Sequence, residues 1–332
     1  MRIALDAMGG DAAPGINLEG AIAAVNQDEH LHICLVGEEP LLKDLLSQAG
    51  YHGTQIEVVP ADGFVGMDEK PTDALRNKPD CSLLVCWKLM AGKQVDAVVS
   101  AGHTGAVVVA GLKTRLFLNG VKRPGIAVTL PTLRGKAILL DVGANPAARP
   151  EHLAQYGVMG EIYAREILGI AKPRVGIINI GSEEGKGTEI ILEAHQFLSK
   201  SVIKDQYIGN VEGRGIFQGD ADVIICDGFT GNVVLKAIEG MGEMMMHMVK
   251  SQVIEKLDQE KDLGKKALGE LARNFQYSET GGALLLGIDG ICLIAHGSSS
   301  GTAIRNALQT ANRFAEKNIN GSIVTALAAS SF

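Results

Sequence analysis

VDAVVSAGHTGAVVVAGLKT (95–114) decides the fold. Its first six residues are an apolar, β-branched run of strand length, a glycine turn follows, and the apolar stretch beyond Thr104 has the length of a helix. A strand that passes through a tight turn into a helix is the repeating unit of a parallel sheet. The same unit recurs along the chain. Strand-like runs stand at 2–6 (RIALD), 31–36 (LHICLV), 56–59 (IEVV), 125–130 (GIAVTL), 136–141 (KAILLD), 174–180 (RVGIINI), 222–227 (DVIICD) and 291–295 (ICLIA). Between most of them lie helix-length segments such as NLEGAIAAVNQ, EHLAQYGVMGEIYAREILG and GTAIRNALQTANRFAEK. The pattern predicts an α/β fold of three layers, α/β/α, around a mostly parallel sheet covered on both faces.

The 332 residues form one large unit, because no repeat, low-complexity tract or linker marks a boundary. No apolar run reaches the roughly 18 to 20 residues of a membrane span. The opening MRIALDAMGGD meets Asp6 before any long apolar stretch, which predicts a cytoplasmic protein without a signal peptide. Lys+Arg 31 against Asp+Glu 38 leaves a net charge of −7, so nucleic acid is not an expected partner. Cys34, Cys81, Cys86, Cys226 and Cys292 lack a CxxC pair and predict reduced core thiols, not disulfides or zinc. The histidines show no ligand spacing, so no metal is expected.

Glycine is abundant, at 41 residues, and its clusters follow the strands: DAMGGD (6–11), SAGHTGA (100–106), DVGAN (141–145), NIGSEEGKGTE (179–189), GNVEGRG (209–215), CDGFTGN (226–232) and AHGSSSG (295–301). Ligands bind at the carboxyl ends of parallel strands, so these loops are expected on one edge, as one composite site. NIGSEEGKGTE is the strongest anion cradle, with Gly181, Gly185 and Gly187 before a helix near Thr188 and Lys186 beside them. It departs from a P-loop in spacing and lacks the hydroxyl that would hold magnesium. SAGHTGA is a second cradle, offering Ser100, Gly102, His103, Thr104 and Gly105. No strand is followed by GxGxxG, which argues against a dinucleotide. AHGSSSG contains GxSxG around Ser299, yet no histidine or aspartate follows it, and the hydrolase order fails. His296 reads either as a general acid/base or as a group that satisfies a loop carbonyl.

In this order the loops resemble the bacterial phosphate acyltransferases of phospholipid synthesis, the acyl-[acyl-carrier protein]:phosphate transacylases. The resemblance runs from DAMGGD through SAGHTGA, LLDVGAN, NIGSEEGKG, IGNVEGR, CDGFTGNVVLK and GGALLLG (281–287) to AHGSSS (295–300). It implies a homodimer of isocitrate/isopropylmalate-dehydrogenase-like fold that makes acyl phosphate from inorganic phosphate and an acyl-carrier thioester, without a cofactor, at the membrane periphery near a glycerol-3-phosphate acyltransferase. Phosphate is already a nucleophile and a thiol leaves readily, so no covalent serine or cysteine is required. The implied catalytic residues are Lys186, Asn232 and His296. The implied phosphate and substrate contacts are Asp6, Gly9, Gly10, Asp11, Ser100, Gly102, His103, Thr104, Gly105, Asp141, Asn145, Gly185, Gly187, Asp227, Thr230 and Ser298. The aspartates among them are expected to orient loops or position Lys186, since carboxylates repel phosphate. The sequence departs from the family at His103, where asparagine is usual, at Ser182, where an acidic residue is common, and at Pro146 after Asn145. An acyl-CoA-using phosphotransacetylase and a non-catalytic binder of acyl or phosphate ligands remain the alternatives.

Two stretches speak of partners. No acidic residue separates Asp96 from Asp141, while Lys113, Arg115, Lys122, Arg123, Arg134 and Lys136 fall between, a docking face for an acidic carrier protein. Residues 233–277 read as an inserted αα-hairpin. Met241, Met244, Met245 and Met248 suit a dimer contact, and Val253, Ile254, Leu257 and Leu263 among lysines suit an anionic membrane at its tip.

Overall fold

The computed structural model describes the backbone of residues 1–275 and 281–330 and the side chains of residues 1–270 and 281–330. Residues 276–277 of the expected hairpin and 331–332 of the expected single unit lie outside the described residues. Each apolar run read as a strand forms one: β1 (Arg2–Asp6), β2 (His32–Gly37), β3 (Ile56–Pro60), β4 (Ala97–Ser100), β5 (Gly125–Thr132), β6 (Gly135–Leu140), β7 (Val175–Asn179), β9 (Val223–Ile225) and β11 (Ile291–Ile294). Two strands are additional, β8 (Tyr207–Glu212) and β10 (Ala283–Leu286). The helices are α1 (Gly15–Val25), α2 (Glu39–Gln48), α3 (Pro71–Asn77), α4 (Ser82–Ala91), α5 (Thr104–Thr114), α6 (Pro150–Glu166), α7 (Glu189–Leu198), α8 (Gly213–Gln218), α9 (Gly228–Gln252), α10 (Lys261–Phe275), α11 (Gly301–Glu316) and α12 (Ile319–Ala328).

Both faces of the sheet are covered, which is why the strands are continuously apolar instead of alternating. Ile3 and Leu5 of β1 enter one core with α1, α6, α11 and α12, while Ala4 enters a second core with α4 and α5. The strands lie in the order β3-β2-β1-β4-β11-β10-β5-β6-β9-β7-β8. Most neighbours are parallel, but β10 is antiparallel to both β11 and β5, and β6 is antiparallel to β5. Three reversals leave β6, β9, β7 and β8 running against β1, β2, β3, β4 and β11.

This overturns the expectation of one composite edge. Carboxyl ends of β1, β4 and β11 define a first edge, and those of β6, β7, β8 and β9 define a second, opposite one. A five-residue strand separates them by about 16 Å. The basic stretch divides likewise. Arg134 and Lys136 sit at the β5–β6 turn on the first edge, whereas Leu116 and Leu118 bond to Asp289 and Gly287 past the end of β10, placing Arg115, Lys122 and Arg123 on the second side. α9 is longer than the hairpin arm expected from Val233. The cluster CDGFTGN is its cap and first turn, because the Asp227 side chain accepts from Phe229 N and Thr230 N, both at 2.9 Å.

Candidate active site

On the first edge, the loops interlock through a buried carboxylate. Asp6 accepts from the Ser100 hydroxyl at 2.7 Å, and Ser100 Oγ accepts from Gly102 N at 3.1 Å. Burial pushes the Asp6 carboxyl up, opposed by hydroxyl and backbone donors. Gly9 must be glycine, since a Cβ there would lie 2.8 Å from Gly102 N. Gly10 and Asp11 continue that loop, and Asp11 N donates to Gly297 O at 2.8 Å. The remaining residues close their own turns. His103 caps α5, its Nδ1 accepting from Gly105 N at 3.1 Å beside Thr104. His296 Nδ1 lies 2.8 Å from Ser298 Oγ and accepts from Ser298 N at 3.2 Å. Ser299 is buried, and its hydroxyl meets no hydrogen-bond partner among the described residues.

The second edge is built around Asp141. Its Oδ1 accepts from Ile126 N, Gly143 N and Ala144 N at 2.9–3.0 Å, and its Oδ2 from Asn145 N at 2.7 Å. Burial raises this carboxyl as well, against those four donors. The Asn145 amide then donates to Tyr156 OH at 2.6 Å. Above this loop stands the start of α9. A Cβ on Gly231 would fall 1.9 Å from Asp141 O, so only glycine lets the helix start this close to β6. Asp227 spends its other oxygen on the Thr230 hydroxyl at 2.7 Å. The Asp141 and Asp227 carboxylates are thus taken up by donors of their own loop and helix start. Asn232, exposed on the next turn, overlies Gly143: a Cβ placed there would lie 4.0 Å from that of Asn232.

The loop after β7 faces this helix start. Lys186 and Gly185 are exposed, and the Lys186 stem folds across Gly181. Gly187 has φ +106° and packs on Asn179. Asn179 donates to Lys186 O and to Asn210 Oδ1, both at 2.8 Å, while Asn210 donates to Glu183 O at 2.7 Å. Asn210 Oδ1 also meets His195 Nε2 at 2.8 Å, and His195 Nδ1 meets Tyr207 OH. Because that oxygen only accepts, Nε2 carries the proton. This network escaped sequence reading, although Asn179 and Asn210 each lie in a quoted glycine cluster.

Between the two loops lies a cavity of about 740 Å³, lined by Ile177, Ile191 and Leu153 and by Gly187, Thr188, Asp227 and Thr230. Ile180 and Phe229 beside it are 86% and 66% exposed, unusual for such large apolar groups. A second cleft, of about 450 Å³, is lined by Arg123, Arg149, His152 and Asn145. Arg149 and His152 were not anticipated; an Arg-Pro-Glu-His helix start was the available signal. Among the described residues no His/Cys/Asp/Glu group could hold a metal. Lys186, Asn232, Asp141, Asn145, Gly185, Gly187, Asp227 and Thr230 thus gather on the second edge, whereas His296 and the other first-edge residues cannot reach them within one chain. Of the departures from the family, His103 serves as a cap, Ser182 is exposed, and Pro146 lines both clefts.

A family model described as fatty acid synthesis protein matches residues 1–321. The phosphate acyltransferase of Heliobacterium modesticaldum is 46% identical over 328 residues, covering 97% of this chain and 96% of its own. The chain belongs to the phosphate acyltransferase family. The family's protein from Geotalea uraniireducens is 42% identical over 322 residues, covering 96% of this chain and 92% of its own. As a member of the phosphate acyltransferase family the chain is an enzyme, an acyltransferase. Among solved structures, a phosphotransacetylase from Streptococcus pyogenes superposes with TM-score 0.62 at 16% identity, covering 95% of this chain and 94% of that one. A branched-chain phosphotransacylase from Enterococcus faecalis gives 0.53 at 12%, covering 94% and 98%. These two share the fold of the phosphate acyltransferase family member described here.

Proposed function

We propose that the protein transfers the acyl group of an acyl-[acyl-carrier protein] to inorganic phosphate, making acyl phosphate for phospholipid synthesis, and that it does so at the second edge. The observation that carries this reading is the apolar cavity bordered by the glycine loop of Lys186 and the first turn of α9. A phosphate oxygen attacks the thioester carbonyl carbon, the carbon–oxygen bond forms, and the resulting oxyanion collapses with loss of the carrier thiolate, which takes up the proton released by phosphate. Lys186 offsets phosphate charge, and Asn232 with backbone N–H groups of the loop stabilises the oxyanion. The state of the cysteines supports direct attack: all five are buried, and burial raises their thiols, Cys86 and Cys226 well above the usual range.

The carrier protein docks beside Arg115 and Lys122, whose cations face an acidic partner. Two copies pair through the methionine face of α9, where Met241, Met244, Met245 and Met248 are exposed. The turn between α9 and α10 meets anionic lipid. Its contact is narrower than the sequence suggests, because Ile254 is 7% exposed and packs against Gly264, leaving Val253 and Leu263, at 52% and 69%, to touch a membrane. Among the described residues no helix is long and apolar enough to cross one.

Incubating the pure protein with acyl-carrier protein and phosphate should release carrier thiol only when phosphate is present, with sequential kinetics. Release without phosphate, or an acylated side chain on the turnover pathway, sinks the direct mechanism. Faster turnover of acyl-CoA than of the carrier thioester would replace the donor.

A further inference from the structure

The two clefts of the second edge meet at Pro146 and Ala147, which line both. Their chemistries are opposite. The larger, of about 740 Å³, is lined by Leu153, Ile177, Ile190 and Ile191, and lies within the size range of small-molecule sites. The smaller, of about 450 Å³, carries Arg123 and Arg149, with His152 and the Asn145 side chain between them. Lys122 adds a further charge nearby, and the Glu151 carboxylate acts against the group. The cations register on His152: burial first, then Arg123, Arg149 and Lys122 hold its imidazole below the ordinary range, with Glu151 acting the other way.

A water-filled apolar cleft costs free energy, and a cluster of cations repels itself; one ligand relieves both when it has an apolar tail and an anionic head. We infer that these clefts form one amphiphile site, in which the apolar chamber holds the fatty chain and Arg123 and Arg149 hold the phosphoryl end of the same molecule. This rests on the proposed acyl transfer and deepens it, because acyl phosphate has that shape. The Asn145 loop and the α9 start, at the junction, then flank the carbonyl. The apolar chamber should be read out as chain-length dependence: each methylene buried strengthens binding about fourfold, which is ~0.8 kcal/mol converted at 25 °C, until the chamber is full.

Alkylphosphonates, which cannot transfer an acyl group, test the site without turnover. Calorimetry on the full-length protein should show dodecylphosphonate, below its aggregation concentration, binding at least about a hundredfold more tightly than ethylphosphonate. Ile191→Trp should fill the chamber and reduce that ratio at least tenfold, with ethylphosphonate binding unchanged. Arg123→Gln with Arg149→Gln should weaken both ligands by a similar factor, roughly tenfold or more. A second filling variant, Ile190→Trp at another position that lines the chamber, guards against misfolding of the first, and thermal melting checks each protein. No preference for the longer chain in the parent, or a preference that survives both filling variants, overturns the apolar half. If the arginine pair leaves phosphonate binding intact while raising KM for the acyl-carrier donor, the cations serve the carrier's phosphorylated arm and the head-group half is overturned. If phosphonates discriminate as described but no carrier thiol is released with phosphate, the site stands and the proposed reaction falls.

Discussion

Lys186 is exposed and held by the backbone of its loop, so its removal costs contact with an anion and no core volume. Lys186→Ala should lower kcat/KM for phosphate roughly ten- to hundredfold with an unchanged melting curve; wild-type phosphate dependence would remove it from the site. Asp6 answers a different question at the same scale. Its folded carboxyl lies above its unfolded value because burial disfavours charge. The stability this contributes is whole below the unfolded value and is lost as pH rises through the elevated one. Asp6→Asn keeps an acceptor for Ser100 and has no such loss. Between about pH 3 and pH 7, the unfolding free energy of the parent in urea should therefore fall relative to that of Asp6→Asn. Parallel curves would mean that Asp6 titrates alike in both states. Placement at this scale was legible in part: that Lys186 stands in a glycine loop after a strand, and that the aspartates stand at strand ends, follows from type and spacing. The role of His103 was not, because whether an imidazole caps a helix or meets a ligand depends on where Gly105 N points.

Among the elements, the loop 180–188 owes its position to side chains from β7, β8 and α7. Asn210 is the hub, touching Asn179, His195 and Glu183 O. Asn210→Ala should destabilise the protein by about 1–2 kcal/mol through the donors and acceptors it strands. Amide exchange should accelerate in Gly181–Gly187 and stay unchanged in β1 and β4; uniform acceleration would mean global loosening instead. β7 was evident as an apolar run. β8 was hidden because Gly209 and Asn210 interrupt an edge strand whose neighbours are half-exposed, which leaves little periodicity to see. The start of α9 was hidden too, since Gly228 and Gly231 suggest a loop when only neighbours in sequence are considered. They are glycines because Asp141 and Asn145 press against them.

At the scale of the molecule, the local units were legible and their direction was not. A strand and its helix are written in adjacent residues, but whether β6 runs with or against β4 depends on pairing with β5 and β10 across more than a hundred residues. Placement of the α9–α10 turn carries the membrane prediction: Val253→Glu with Leu263→Glu should abolish sedimentation with anionic vesicles and leave soluble turnover alone. Vesicle binding equal to the parent would exonerate the turn. The β10–β11 hairpin has one more consequence, and it concerns time. Its residues, 283–294, are made after β1 to β9 yet occupy the centre of the sheet, between β4 and β5. A growing chain at the ribosome thus holds two half-sheets with raw inner edges, each able to pair with a stranger. Only when the hairpin emerges do the edges close on one another, so the nascent protein's most vulnerable interval comes late, and the strand that ends it is a keystone.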